Sequence, residues 1–212
     1  MKKLRIFIIV FMILFLTCCG GIQLLNKLEG ITEDSSGDVI NIDFDGNKVF
    51  VDGKSAGFNK RNAVYTARDI IYYETGQGFA YGDGSEKDAH TKEEGRSHKV
   101  VHITKPGVYV VSGKLSKGQI AVDLGKDAKY VPQAVVTIIL KNVEITCDIA
   151  PAIIFYSVYE CNKNTEETAS PEVNTEKAGA NIVIADGTIN TINGDSVACI
   201  YDPDTLVFNE EK

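Results

Sequence analysis

Between residues 99 and 208 the chain is a succession of short runs rich in Val, Ile and Tyr, parted by Gly, Asn and Asp at intervals too short to hold a helix. That spacing restricts the region to β-structure, and the runs also repeat. Residues 136–142 line up with 181–187 at an offset of 45, each ending in a turn residue, Asn142 and Gly187. Residues 152–156 line up with 198–202 after one extra residue, and residues 118–123 read as an earlier copy. Self-similarity of this kind predicts an all-β solenoid, a parallel β-helix in which each coil pairs with the next because none can bury its apolar face alone. Ile138, Leu140, Val143, Ile145, Ile153, Phe155, Ile182, Ile184, Ile189, Ile192 and Ile200 are the candidates for its stacked interior. A β-sandwich, which shows the same strand-and-turn spacing, stays open as the alternative.

Upstream, residues 39–44 alternate apolar and polar, Asp45-Gly46 is a hairpin-type pair, and residues 48–53 read as a second strand. Residues 54–98 hold several glycines, many charges, His90 and His98, and little periodicity, so they read as an irregular insertion in a domain spanning 39–212. Residues 20–38 are a polar tether. Ahead of it, Lys2, Lys3 and Arg5 precede eleven apolar residues, Ile6 to Leu16, and then Thr17-Cys18-Cys19-Gly20-Gly21. This is the layout of a secretory signal over residues 1–19. Its apolar run falls well short of the ~20 residues a bilayer-spanning helix needs.

The stretch around Cys19 resembles a bacterial lipobox, in which a small residue precedes a cysteine that is acylated before cleavage. Cys18 departs from the small residue usual there and is itself the other candidate for modification; an ordinary cleaved signal is the third reading. The resemblance implies a lipid on Cys19 and a chain exported and anchored on the outer face of the cytoplasmic membrane, at the cell surface. With 29 acidic against 22 basic residues, and four of the basic ones in or just after the signal, a nucleic-acid partner is disfavoured. Cys147, Cys161 and Cys199 show no CxxC spacing; export permits one bridge, and three small buried side chains explain them equally well.

Several segments together, residues 103–113, 118–123, 150–156, 178–187 and 190–194, resemble the bacterial carbohydrate-binding-domain-containing proteins with a polysaccharide-lyase-like fold. The resemblance covers residues 39 to 208 and is strongest from 99 onward. It implies a right-handed single-stranded parallel β-helix that binds cellulose or acidic pectin-type polysaccharide without cleaving it, with calcium along the coils. Relatives continue for several more coils, so the expectation here is a short or truncated version with an open final coil.

Calcium takes six to eight oxygen ligands. Asp123, Asp148, Asp186 and Asp202 are its candidate ligands, at strand ends where coils turn, although aspartates there ordinarily serve backbone turns. Tryptophan is absent, so Tyr156, Tyr159 and Tyr201 are the candidates for stacking on sugar, against the plainer reading of aromatics packed at strand spacing. A lyase would need a basic cluster that the coils lack, and no GxSxG nucleophile string accompanies Ser97. His90, His98 and His102 read as surface or insertion residues. The alternatives to a noncatalytic binding lipoprotein are an adhesion lipoprotein without sugar binding and a surface lyase or hydrolase.

Overall fold

In a computed structural model, which describes residues 39–76, 88–161 and 177–196, the chain enters its first strand at Ile40. Cys19, the signal, the tether, Cys199, Ile200, Tyr201 and Asp202 lie outside the described residues. Strands β1 (Ile40–Gly46), β2 (Lys48–Val51) and β3 (Lys54–Ser55) form two antiparallel hairpins. Asp45 pairs with Lys48, so the first turn is centred on Gly46-Asn47, one residue later than the sequence pattern suggests. The second turn is Asp52-Gly53, with φ of 48° and 74°, the two positive values that a right-twisted two-residue hairpin needs.

Strands β4 (Val64–Ala67), β5 (Lys99–Ile103), β6 (Gly107–Leu115), β7 (Gly118–Asp123), β8 (Val136–Thr146), β9 (Ile153–Ser157), β10 (Ala180–Ile184) and β11 (Thr191–Asn193) follow. The single α-helix among the described residues is α1 (Lys92–Ser97). The segment expected to be irregular therefore contributes two strands and a helix. The fold is all-β, built as two mixed sheets. One runs β10-β8-β6-β1-β2-β3, with β11 also on β8; the other runs β4-β5-β7-β9.

From β5 to β10 the chain alternates between the sheets, and each return lies parallel to the previous strand in that sheet. The registers bring like residues into rows. Ile40, Tyr109, Ile138 and Ile182 form one; Ile42, Val111, Leu140 and Ile184 another; Leu115, Ile145 and Ile192 a third. In the other sheet Val101, Ile120 and Ile153 align, as do Ile103, Val122 and Phe155. The middle members, from Tyr109 to Ile145, are almost wholly buried. Of the expected interior residues, Ile138, Leu140, Val143 and Ile145 are core, and Ile153 and Phe155 are half-buried against it. Ile182, Ile184, Ile189 and Ile192 are exposed. They belong to the last rung described, where nothing follows them in the row.

The strand pairing corrects the sequence alignment by one residue. Ile138 pairs with Ile182, an offset of 44, while the turn residues Asn142 and Gly187 differ by 45. The slack falls between strand and turn. In a strand one residue decides which face a side chain takes, and the structural register puts isoleucine over isoleucine.

Both long strands bend. In β6 the bend is at Gly113, at φ 81°; in β8 it is a bulge at Asn142, at φ 52°, where β8 carries one residue more than β6 between paired positions. The Asn142 side chain accepts from Ile189 N (3.1 Å), and Asn190 in turn accepts from Val143 N (3.0 Å). Two asparagines thus tie one corner to the next through backbone groups that the bend leaves unpaired.

A Cβ at Gly113 would sit 2.1 Å from the Phe44 carbonyl oxygen, whereas one at Gly187 meets nothing within 4 Å. Both have positive φ. Gly187→Ala is expected to cost about 1–2 kcal/mol, the backbone strain alone. Gly113→Ala adds a backbone clash inside a parallel pair and is expected to cost more than about 3 kcal/mol. Urea midpoints of the two variants check the difference.

Candidate functional site

After β7 the chain makes a tight loop rather than a plain turn. The Asp123 carboxylate accepts from Gly125 N (2.9 Å), and a 3-10 turn, Ala128–Tyr130, follows. Neighbouring segments hold the loop by backbone bonds: Leu124 N to Ser157 O (2.9 Å), Tyr159 N to Ala134 O (2.8 Å) and Gly107 N to Val135 O (3.0 Å). Between the loop and Pro106 lies an open groove of about 400 Å³. Its floor is Pro106, Leu124, Ala128, Val131 and Ala134, and Lys126, Asp127 and Gln133 supply polar groups. An apolar floor with a few polar groups is the ordinary make-up of a ligand site.

Beside the groove, Tyr130 is 60% exposed. The Lys129 ammonium lies 5.2 Å from its ring centroid, holding one side of the ring. Lys105 and Lys126 are exposed and make no ion pair with an acid among the described residues. Lys48, Lys92 and Lys114, elsewhere, each do. Lys126 thus lines the groove next to Asp127, and Lys105 precedes the lining residue Pro106, in a chain of net charge −7.

The expected sugar-contact residues behave differently. Tyr156 is half-buried against the core, and burial, with Asp69 and Asp123 nearby, pushes its hydroxyl up to about 12. Tyr159 is half-buried and serves the loop through its backbone, accepting from Gly179 N (3.0 Å). Tyr201 is outside the described residues. Sequence reasoning passed over Tyr130, although an aromatic between Lys129 and Val131-Pro132, outside any strand alternation, was the available signal.

The aspartates expected to hold calcium are not brought together. Asp123 closes its own turn, Asp148 pairs with His98, and Asp186 is exposed at the turn before Gly187. Among the described residues no three His, Cys, Asp or Glu side chains converge as a metal site requires. Asp202, the fourth candidate, lies outside the described residues.

The histidines correct their sequence reading. His98 is 1% exposed, with Nε2 on the Asp148 carboxylate and Nδ1 2.8 Å from the Glu94 carbonyl. A carbonyl only accepts, so Nδ1 carries a hydrogen and cannot take a proton from Ser97 Oγ, 3.3 Å away. Ser97 itself donates to the Glu94 carbonyl (2.7 Å). The trio has the composition of a nucleophilic triad but the wiring of a clasp. It fastens α1, whose start is a Thr91–Glu94 capping box, to the turn after β8. His90 lies 3.8 Å from both Glu94 and Asp195, beside the same helix. His102 is also mostly buried, hydrogen-bonded to Asp69 (2.8 Å) and stacked on Tyr65 with ring centroids 4.5 Å apart.

Residues 97–211, more than half of the chain, match the family model described as carbohydrate-binding domain-containing protein. The chain belongs to this family. The match to the carbohydrate-binding domain-containing proteins takes in β5 to β11, the groove, Tyr130 and the His98–Asp148 clasp, and leaves the hairpins β1–β3 and β4 outside. No curated protein and no solved structure matches the chain.

Burial pushes the Asp148 carboxyl up, but the His98 hydrogen bond and the charges of His98 and Lys117 outweigh it and leave the group below its ordinary value. A depressed folded value makes its contribution to stability present above the unfolded value of about 3.9 and lost as the pH falls through the folded value. Asp148→Asn is expected to be less stable than the parent at pH 6, and the gap should close as the pH drops below about 4. Urea midpoints across that range test it.

Proposed function

We propose that this protein binds polysaccharide without cleaving it, and that the binding surface is the groove between Pro106 and the 124–134 loop with the exposed ring of Tyr130 beside it. The observation carrying the reading is that ring: a solvent-facing aromatic in the loop that lines an apolar groove, inside the segment that matches a carbohydrate-binding domain-containing family. Sugar rings present apolar C–H faces that stack on such a surface, while their hydroxyls take up the polar groups of Lys126, Asp127 and Gln133. Lys105 and Lys126 favour a glycan that carries carboxylates, such as de-esterified pectin, over a neutral one. Calcium bridging between protein and glycan carboxylates is a second route to the same preference.

The scaffold is read as a short right-handed parallel β-helix. Supporting this are the parallel in-register returns in both sheets and the corner asparagines, together with the strong right-handed preference of parallel crossovers. An aligned sandwich of antiparallel strands would not produce isoleucine rows along parallel neighbours. Export and lipid attachment at Cys19 complete the proposal, placing the groove outside the cell at a fixed reach from the membrane.

Pull-down of the chain on de-esterified pectin gel and on cellulose, in calcium and in chelator, tests the binding. Retention on pectin gel without release of sugar is expected, and the chelator arm measures what calcium adds. Tyr130→Ala should weaken retention about tenfold, the ~1.4 kcal/mol scale of one stacked ring, with an unchanged urea midpoint. Lys126→Gln should weaken binding to pectin gel and leave cellulose unaffected. No retention on either glycan would sink the reading. Separately, Cys19→Ser is expected to abolish incorporation of labelled fatty acid and to release the chain from the membrane fraction of expressing cells.

A further inference from the structure

Outside the groove lining, residues 54–68 carry Lys54, Lys60, Arg61 and Arg68 and not one acid, in a chain whose net charge is −7. All four side chains are exposed, and none makes an ion pair among the described residues. Asp69, the acid that follows, is committed to His102. At the tip of the same stretch Phe58 is 79% exposed.

This tip is built. Arg61 N donates to Asn59 Oδ1 and Asn62 N to Asn59 O, both at 3.0 Å. Thr66 N closes onto Gly57 O (2.9 Å), and Thr104 holds the far side through Asn62 O (3.0 Å) and Ala63 O (2.9 Å). A phenylalanine with nothing to pack against would ordinarily turn inward or be replaced; here a bonded turn holds it out.

We infer that the 56–63 turn is a membrane-contact site, with Phe58 entering the interfacial layer of an anionic leaflet and Lys54, Lys60, Arg61 and Arg68 facing lipid phosphates. An aromatic flanked by cations is the chemistry of interfacial binding. An aromatic held out among cations suits a penetrable anionic surface. The turn follows β3, two strands across the sheet from β1, the first described strand. The inference rests on the anchoring reading only for how the surface is met. A lipid tether alone would leave the domain free to tumble, and a second contact would set its orientation.

The chain has no tryptophan and nine tyrosines, so Phe58→Trp places the sole tryptophan at the tip, where red-edge excitation reads it apart from the tyrosines. The full chain carrying it is mixed with vesicles of phosphatidylcholine, or of phosphatidylcholine with phosphatidylglycerol, with and without brominated acyl chains. Sedimentation reads attachment by the N-terminus, and Trp emission reads the turn. The expected result is a blue shift and bromine quenching on the anionic vesicles, lost in high salt and lost when Lys60→Gln and Arg61→Gln are added. A chain that sediments while its emission stays water-like and unquenched on anionic vesicles overturns the inference and leaves anchoring intact. Anionic-vesicle insertion without sedimentation on neutral vesicles supports the contact site and counts against the anchor. A shift produced by polygalacturonate but by no vesicle overturns it as well, assigning the patch to glycan.

Discussion

The stacking of like apolar residues between parallel strands is the constraint on which the rest of the molecule depends. Tyr109 over Ile138, Val111 over Leu140 and Leu115 over Ile145 fill the interior, and each pair exists only because β6 keeps its register on β8 to either side of the one-residue shift at Gly113. Shape enforces that register as much as hydrogen bonding does. A slip of one residue would turn every one of these side chains outward. The Tyr109 hydroxyl is accommodated in this apolar row by donating to the Lys105 carbonyl (2.7 Å), and burial pushes its ionisation up to about 12. The loop that forms the groove is therefore an interruption between β7 and β8, two strands whose own rows are already filled. The scaffold tolerates it because the loop's backbone groups find partners in the segments above and below.

Rows alone would give flat ribbons. The direction changes come from Gly113 and Asn142, whose left-handed backbone turns the long strands without ending them. Asparagine has the further advantage of a side chain that can bond the neighbouring rung, and the exchange between Asn142 and Asn190 makes each corner depend on the next. The clasp of His98 on Asp148 does similar work at a different scale. It fixes a short helix, too short to be stable by itself, against the turn that follows β8.

What could be read from the sequence follows from which interactions are local. Alternation in β1, the turn residues between runs and the resemblance of successive strands are local, and they gave the all-β class, the hairpin start and one part of the core, Ile138, Leu140, Val143 and Ile145. Alignment by turn signal misplaced β10 by one residue, because Asn142 and Gly187 are conspicuous while the slack before them is silent. The His98–Asp148 pair joins residues fifty positions apart, and no spacing rule links them. Tyr156 looked like a sugar platform because strand position says nothing about which face is covered. Tyr130 was hidden for the opposite reason: it sits in a loop where no periodicity operates, and only the packing of that loop against Pro106 makes a groove. The turn aspartates were rightly placed at turns, but convergence in space is not a sequence property.

Strand polarity also gives the molecule a direction. On one edge β1 carries the antiparallel β2, and beyond it the two-residue β3, too short to template another strand; on its other edge it meets β6 in parallel. At the opposite side, β10 and β11 present Ile182, Ile184 and Ile192 in register with the rows behind them. Among the described residues the two sides thus differ in kind, antiparallel at β2 and β3 and parallel at β10 and β11.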